Sequence, residues 1–261
     1  MKSSVPFTII YEDDHIIAVN KAAGISVGSD RWDEARERLD KLLAAHCPAQ
    51  VFTVHRIDRD TSGAVVFAKD AETHKRLSAA FESRQTAKQY IAVIHGRLSL
   101  AETLCELPLV PNGDKQHRTI IDQYRGKKAL TRFRLLGSAG NYSVVEALPK
   151  TGRTHQIRVH LASLGHPIVC DPLYGRAARR GQAEKGVFLS SFKKGWRGDP
   201  LKEQPLLSRL GLHALSLGLP DYTGEDASGP GLNLYAPLSR DMAALIKQME
   251  KCGGSFSPGL F

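Results

Sequence analysis

The chain has no long apolar run. No stretch approaches the roughly 18 residues that a membrane-spanning helix needs, and residues 1–6 hold no signal-peptide core. Cysteine is scarce, with 4 in 261 residues. They stand at Cys47, Cys105, Cys170 and Cys252, so no Cys-x-x-Cys pair exists to begin a structural zinc site. A disulfide framework does not suit a chain of this size without an export signal, and the expectation is four reduced thiols in a cytoplasmic protein. Also absent are Gly-x-x-x-x-Gly-Lys-Ser/Thr, Gly-x-Gly-x-x-Gly, Gly-x-Ser-x-Gly and His-Glu-x-x-His. Nucleotide hydrolysis, dinucleotide redox chemistry and zincin proteolysis therefore lose their usual sequence support. No internal repeat and no low-complexity linker divides the chain.

What is present is positive charge. The 36 Lys plus Arg against 27 Asp plus Glu leave +9. Residues 112–134 carry seven basic and two acidic side chains, and residues 176–202 eight and two. Together these segments hold +11, so the rest of the chain is net −2. Two basic stretches on a near-neutral body suit a partner with a phosphate backbone, the alternative being solvated loops.

Residues 7–11 and 15–20 read as strands around the acidic turn Glu12-Asp13-Asp14. Strands at 51–54 and 64–68 flank a polar segment, 55–63. Residues 88–95 are apolar on both faces and read as a central strand; 129–136 and 142–148 read as a strand pair, and 212–219 as another strand. Helices are expected over 33–45, 71–83, 154–164 closed by Gly165 and Pro167, and 240–250 with Ser239 as N-cap. The 111–128 and 176–205 stretches read as loop-rich excursions, 221–231 as a hairpin excursion, and the tail from Gly253 as frayed. The elements follow no βαβα rhythm, so the class is α+β, with a mainly antiparallel mixed sheet and flanking helices and loops.

Two polar clusters stand out. His55-Arg56-Ile57-Asp58-Arg59-Asp60-Thr61-Ser62-Gly63 sits between two strands, where Asp58 could simply cap or salt-bridge a loop. Lys150-Thr151-Gly152-Arg153-Thr154-His155-Gln156-Ile157-Arg158-Val159-His160-Leu161 leads from a strand into a helix. Cations at a helix N-terminus oppose the macrodipole and need another reason to be there. His155 and His160 lie about 140° apart on a helix and do not converge on a metal.

The first cluster resembles the signature of the RluA-type pseudouridine synthases, with Ile57 where Leu is usual. The second, continuing to Gly165-His166-Pro167-Ile168-Val169 and Asp171-Pro172-Leu173-Tyr174-Gly175, resembles a further motif of that family. Lys88-Gln89-Tyr90 matches the intervening Lys-x-Tyr. Tyr11-Glu12-Asp13-Asp14, Val19-Asn20-Lys21 with Ala23-Gly24, and Leu212-His213-Ala214 match the opening and closing segments. The likeness runs from residue 7 to about 250. Ala22 stands where the family often has Pro, and Cys170 where it usually has Gly.

The resemblance implies a pseudouridine synthase fold with a catalytic cleft across the sheet. It implies one catalytic domain over 1–261, with its core at about 7–250 and no N-terminal S4-like RNA-binding domain. The activity implied is isomerisation of uridine to pseudouridine in structured RNA, ribosomal or transfer, by a cytoplasmic monomer without cofactor or metal. Asp58 is then the catalytic carboxylate and Asp60 its structural neighbour. Tyr90 packs on the uracil, and Arg158 keeps the carboxylate ionised through its planar fork. Arg56 fills the stack left by the extruded base, and His55, Arg153 and His155 contact RNA; Lys127, Lys128, Lys193 and Lys194 are expected at the RNA from the charge of the two basic stretches, on which the family signature is silent. Two competing readings are a catalytically idle RNA-binding protein and a metal-dependent nuclease using Asp58 and Asp60; the latter lacks a third ligand cluster.

Overall fold

The structure is a computed structural model that describes residues 6–29, 37–47, 50–176, 181–182, 184–223 and 231–256. Its strands are β1 (Phe7–Glu12), β2 (Ile16–Lys21), β3 (Phe52–Thr53), β4 (Ser62–Ala68), β5 (Ala87–His95), β6 (Glu102–Cys105), β7 (Leu109–Val110), β8 (Ile120–Ile121), β9 (Thr131–Ala139), β10 (Tyr142–Pro149), β11 (Leu212–Leu219), β12 (Leu232–Tyr235) and β13 (Ser255–Phe256). Its helices are α1 (Leu39–His46), α2 (Ala71–Glu82), α3 (Gln156–Ser163) and α4 (Arg240–Lys251). Two compact units share the chain: Met1–Gln89 with His213–Leu238, and Tyr90–Leu212 with Ser239–Phe261.

In the first unit, the acidic turn makes the β1–β2 hairpin. Asp13 Oδ1 accepts the His15 and Ile16 amides at 2.8 and 2.7 Å. β2 pairs antiparallel with β4 from Ile16↔Ala68 to Lys21↔Gly63. All seven residues of β4 are buried, as expected of a strand covered on both faces. β11 joins β4 in parallel through His213↔Ser62 and Ala214↔Gly63, while β12 pairs antiparallel with β11, so the sheet is mixed. Asp70 caps α2 by accepting the Thr73 amide at 2.8 Å, and Leu77 packs into a core with Ile16, Ala18, Val66, Leu217 and Leu234.

In the second unit, β10 lies antiparallel between β5 and β9, and β9 also pairs with β6 and β13. Seven of the eight residues of α3 are buried. Ile157 and Leu161 enter a core with Ala92, Ile94, Phe133, Val145 and Ile168. Past α3, Gly165 at φ +84° lets the His166 amide reach the Leu161 carbonyl at 2.9 Å, the expected helix stop.

Several expectations shift. Residues 33–36 of the first expected helix lie outside the described residues. Its described part begins only at Leu39, because Arg38 is held extended in a bridge to Ser26. Ser239 does occupy the N-cap of α4, but its hydroxyl makes no cap bond and instead accepts from Arg209 Nη2. The 111–128 excursion contains the small β7–β8 sheet. The tail is ordered as β13 on β9 through Phe256, while 257–261 lie outside the described residues, as do 224–230 of the expected hairpin excursion. No helix among the described residues is long and apolar enough to cross a membrane.

Candidate active site

Asp58 lies in the segment between β3 and β4 of the first unit, half-buried, with Ile57 turned inward and Arg56 and Arg59 exposed. The segment is pinned from below by Lys21 at the end of β2. This lysine is 0% exposed, and its ammonium donates to the carbonyls of Ala22, Ile25 and Arg59, each at 2.9 Å. A buried charge costs several kcal/mol unless dipoles replace its water; these three carbonyls do so. The Gly24 amide adds a second bond to the Arg59 carbonyl at 2.9 Å, and the Thr61 amide closes a turn onto the Asp58 carbonyl at 3.1 Å.

The exit into β4 is equally constrained. Gly63 has φ +116°, and a Cβ there would meet the Ala214 carbonyl oxygen at 2.2 Å, so only glycine fits. Ser62 Oγ lies 2.9 Å from His213 Nδ1, and His213 Nε2 lies 3.0 Å from the Ala236 carbonyl. A carbonyl only accepts, so Nε2 carries the proton and Nδ1 accepts from Ser62. Asp60 pairs with Arg59, Nε to Oδ1 at 3.1 Å, which fits a structural part for this carboxylate.

His55, expected at the RNA, is engaged within its own unit. Its Nε2 accepts the Val66 amide at 3.1 Å, and its ring stacks on Phe81 at 4.5 Å. Burial and the nearby Lys88 charge push the imidazole down to about 3, so it is neutral at pH 7 and offers phosphate no cation.

Arg158 lies in α3 of the second unit. Its Nε and Nη2 donate to Asp171 Oδ2 and Oδ1, both at 2.8 Å, and the two side chains are 3% and 0% exposed. The resemblance assigns that fork to Asp58; its Nε–Nη2 edge is held by Asp171. Burial disfavours the Asp171 carboxylate, but the hydrogen bonds and charge of Arg158 outweigh it and keep the group below its ordinary range. Oδ1 also accepts the Leu173 and Tyr174 amides at 2.9 and 3.0 Å, and the Tyr174 ring lies 5.2 Å from the guanidinium carbon. This explains a cation in the first turn of a helix, because the buried carboxylate offsets the opposing dipole.

His155 caps α3 in the left-handed region, φ 53°, with Nδ1 2.8 Å from the Tyr174 hydroxyl. Arg153 Nε donates to the Lys128 carbonyl at 3.2 Å, so these two expected RNA contacts share one surface. Lys127, Lys128, Lys193 and Lys194 are exposed. Residues 177–180 and 183 of the second basic stretch lie outside the described residues. Tyr90, on β5 opposite Ala147, is half-buried against the core of its unit. His160 is fully enclosed, its ring nitrogens bonded to the Thr131 hydroxyl and the Leu107 carbonyl. Among the described residues no group of three or more His, Cys, Asp or Glu side chains is placed to hold a metal.

A family model described as RNA pseudouridylate synthase matches residues 15–163, the span that holds both polar clusters. The chain belongs to this family and is of RluA type. It is 32% identical over 257 residues to ribosomal large subunit pseudouridine synthase D of Zymomonas mobilis, covering 94% of this chain and 73% of that protein. The Escherichia coli K12 protein of the same name is 31% identical, with 94% and 71% covered. The dual-specificity RNA pseudouridine synthase RluA of Vibrio cholerae is 39% identical over 166 residues, covering 64% of this chain and 67% of that protein. Human RNA pseudouridylate synthase domain containing 4 shares the fold, with TM-score 0.69 and 23% identity over 93% of this chain and 92% of that one.

Two residues that stand in the motifs gain a role only from the structure. Asp171 is the carboxylate of Arg158, and Lys21 is the buried cation beneath the Asp58 segment. A carboxylate among apolar neighbours just before Pro172, and a lysine ending the apolar run of β2, were the available signals. Both denote a buried charge, which requires a partner.

Proposed function

We propose that the protein isomerises uridine in ribosomal RNA to pseudouridine, with Asp58 as the catalytic carboxylate. The observation that carries this is the intact His55–Gly63 cluster, inside a family match and pinned by a buried lysine beneath Arg59. Relatives named for the ribosomal large subunit cover 94% of this chain, which favours ribosomal over transfer RNA.

The reaction breaks the bond from ribose C1′ to uracil N1, turns the base, and rejoins C1′ to C5, after which C5 gives up its proton and N1, freed from the ribose, ends with one. Atoms balance without a donor or an oxidant. The chemistry asks for an ionised carboxylate at the ribose, an aromatic surface for the uracil, and a cation that favours the charged form. In this reading Asp58, Tyr90 and Arg158 take those parts. The target base must also leave its stack, at a cost of a few kcal/mol, and exposed Arg56 is the side chain assigned to the vacated space. We assign the enzyme to the cytoplasm on the strength of the proposed RNA-modifying role and of its four free thiols.

The test is to incubate the protein with ribosomal RNA from a strain deleted for its gene, and with transfer RNA from the same strain, then map pseudouridines by sequencing. A new pseudouridine in ribosomal RNA is expected. Modification of transfer RNA alone overturns the substrate assignment, and modification of neither overturns the activity.

A further inference from the structure

The turn 122–126 presents Tyr124 with 99% of its surface exposed. The fold gains nothing from burying this ring, yet the backbone beneath it is tightly organised. Asp122 Oδ1 accepts the Tyr124 and Arg125 amides, both at 2.9 Å, and Oδ2 accepts Arg125 Nε at 2.7 Å. The Gly126 amide returns to the Asp122 carbonyl at 2.9 Å. Hydrogen bonds from Arg125 hold the Asp122 carboxyl below its ordinary range.

The mount is rigid at its base as well. The Asp122 amide bonds the Pro108 carbonyl at 3.1 Å, and Lys127 exchanges two backbone bonds of 3.0 Å with Leu109. Further anchors reach the segments around Arg158 and Asp171. Arg118 Nη1 donates to the Leu173 carbonyl at 3.2 Å, the Thr119 amide donates to the Tyr174 hydroxyl at 2.9 Å, and Arg153 holds Lys128. Next in the chain come Arg125, its side chain 72% exposed, and the exposed Lys127 and Lys128.

A water-facing ring on a stiff turn, followed in the chain by exposed cations, has the chemistry of a stacking platform for single-stranded nucleic acid. Every base offers a π-face to the ring, and the cations take the adjoining phosphates. We propose that Tyr124 stacks on an unpaired base of the RNA while Arg125, Lys127 and Lys128 contact the flanking backbone. This rests on the reading that RNA is the substrate and adds a binding element outside the catalytic motifs.

The test uses full-length protein and fluorescence anisotropy with two probes: a mixed-sequence single-stranded RNA of about 16 nucleotides, and an abasic ribose-phosphate chain of equal length. Tyr124→Ala is expected to weaken binding of the base-bearing probe about fivefold or more and to leave the abasic probe unchanged. Tyr124→Phe should bind both as wild type does, and Arg125→Ala should weaken both alike. Unchanged binding of the base-bearing probe by Tyr124→Ala, or equal losses on the two probes, overturns the proposal. Pseudouridine formation is a separate readout. Normal modification with no Tyr124 effect sinks the stacking role alone, and a Tyr124 effect without modification sinks the activity alone.

Discussion

Arg158 lays its Nε and Nη2 against the two carboxylate oxygens of Asp171, both at 2.8 Å, with neither side chain more than 3% exposed. The guanidinium is thereby fixed in orientation by a partner thirteen residues later in the chain. A fork held along one edge is restrained from rotating, which is the preorganisation that the part proposed for Arg158 calls for.

Asp171→Asn leaves a buried guanidinium without its counter-charge. Urea unfolding should show a loss of about 3–5 kcal/mol. Arg158→Lys keeps the charge but not the fork, and should lose most single-turnover activity at saturating RNA. A near-parental rate would reduce Arg158 to a structural ion. The folded Asp171 carboxyl titrates below its ordinary value. Its stabilising contribution is therefore complete above about pH 4 and is lost as pH falls further.

His55 gives a second pH signature, at higher pH. Its folded imidazole is pushed down to about 3, whereas an unfolded histidine titrates near 6.5. The unfolded state therefore binds the proton first. Stability from this group is full above about pH 6.5 and declines toward about pH 3. Urea midpoints at pH 7 and pH 5 should fall less for His55→Gln, which can still accept the Val66 amide, than for wild type. Equal falls would show that His55 does not drive the acid loss.

The paired lysines report on the RNA path. Lys127→Ala with Lys128→Ala, and separately Lys193→Ala with Lys194→Ala, should weaken binding to ribosomal RNA and flatten its dependence on salt. Removing one phosphate-bound cation should reduce the log–log slope by about 0.7–0.9. Unchanged slopes in both double variants would make these stretches solvated loops.

Where burial was strong, the sequence was legible. β11 and α2 fall where periodicity puts them, since each has one consistent apolar pattern to bury. The short strands β6, β7, β8, β12 and β13 were not anticipated. Each has two to four residues, too few to show a period, and is held by its neighbour's backbone bonds. The same divide runs through the site. The clusters around Asp58 and Arg158 could be read as strings of residues. The carboxylate that holds Arg158 and the lysine that holds the Arg59 carbonyl could not, because a buried charge's partner depends on tertiary packing.

The most direct test of the account is the single-turnover rate of Asp58→Asn on ribosomal RNA at saturating protein, beside wild type and Asp60→Asn. Asparagine keeps the size of the side chain and removes the carboxylate. The Asp58 variant should bind RNA as wild type does and lose about 100-fold or more in rate, while the Asp60 variant, which loses only a salt bridge to Arg59, should be far milder. An Asp58→Asn rate within about tenfold of wild type, or a larger loss in Asp60→Asn, would contradict it.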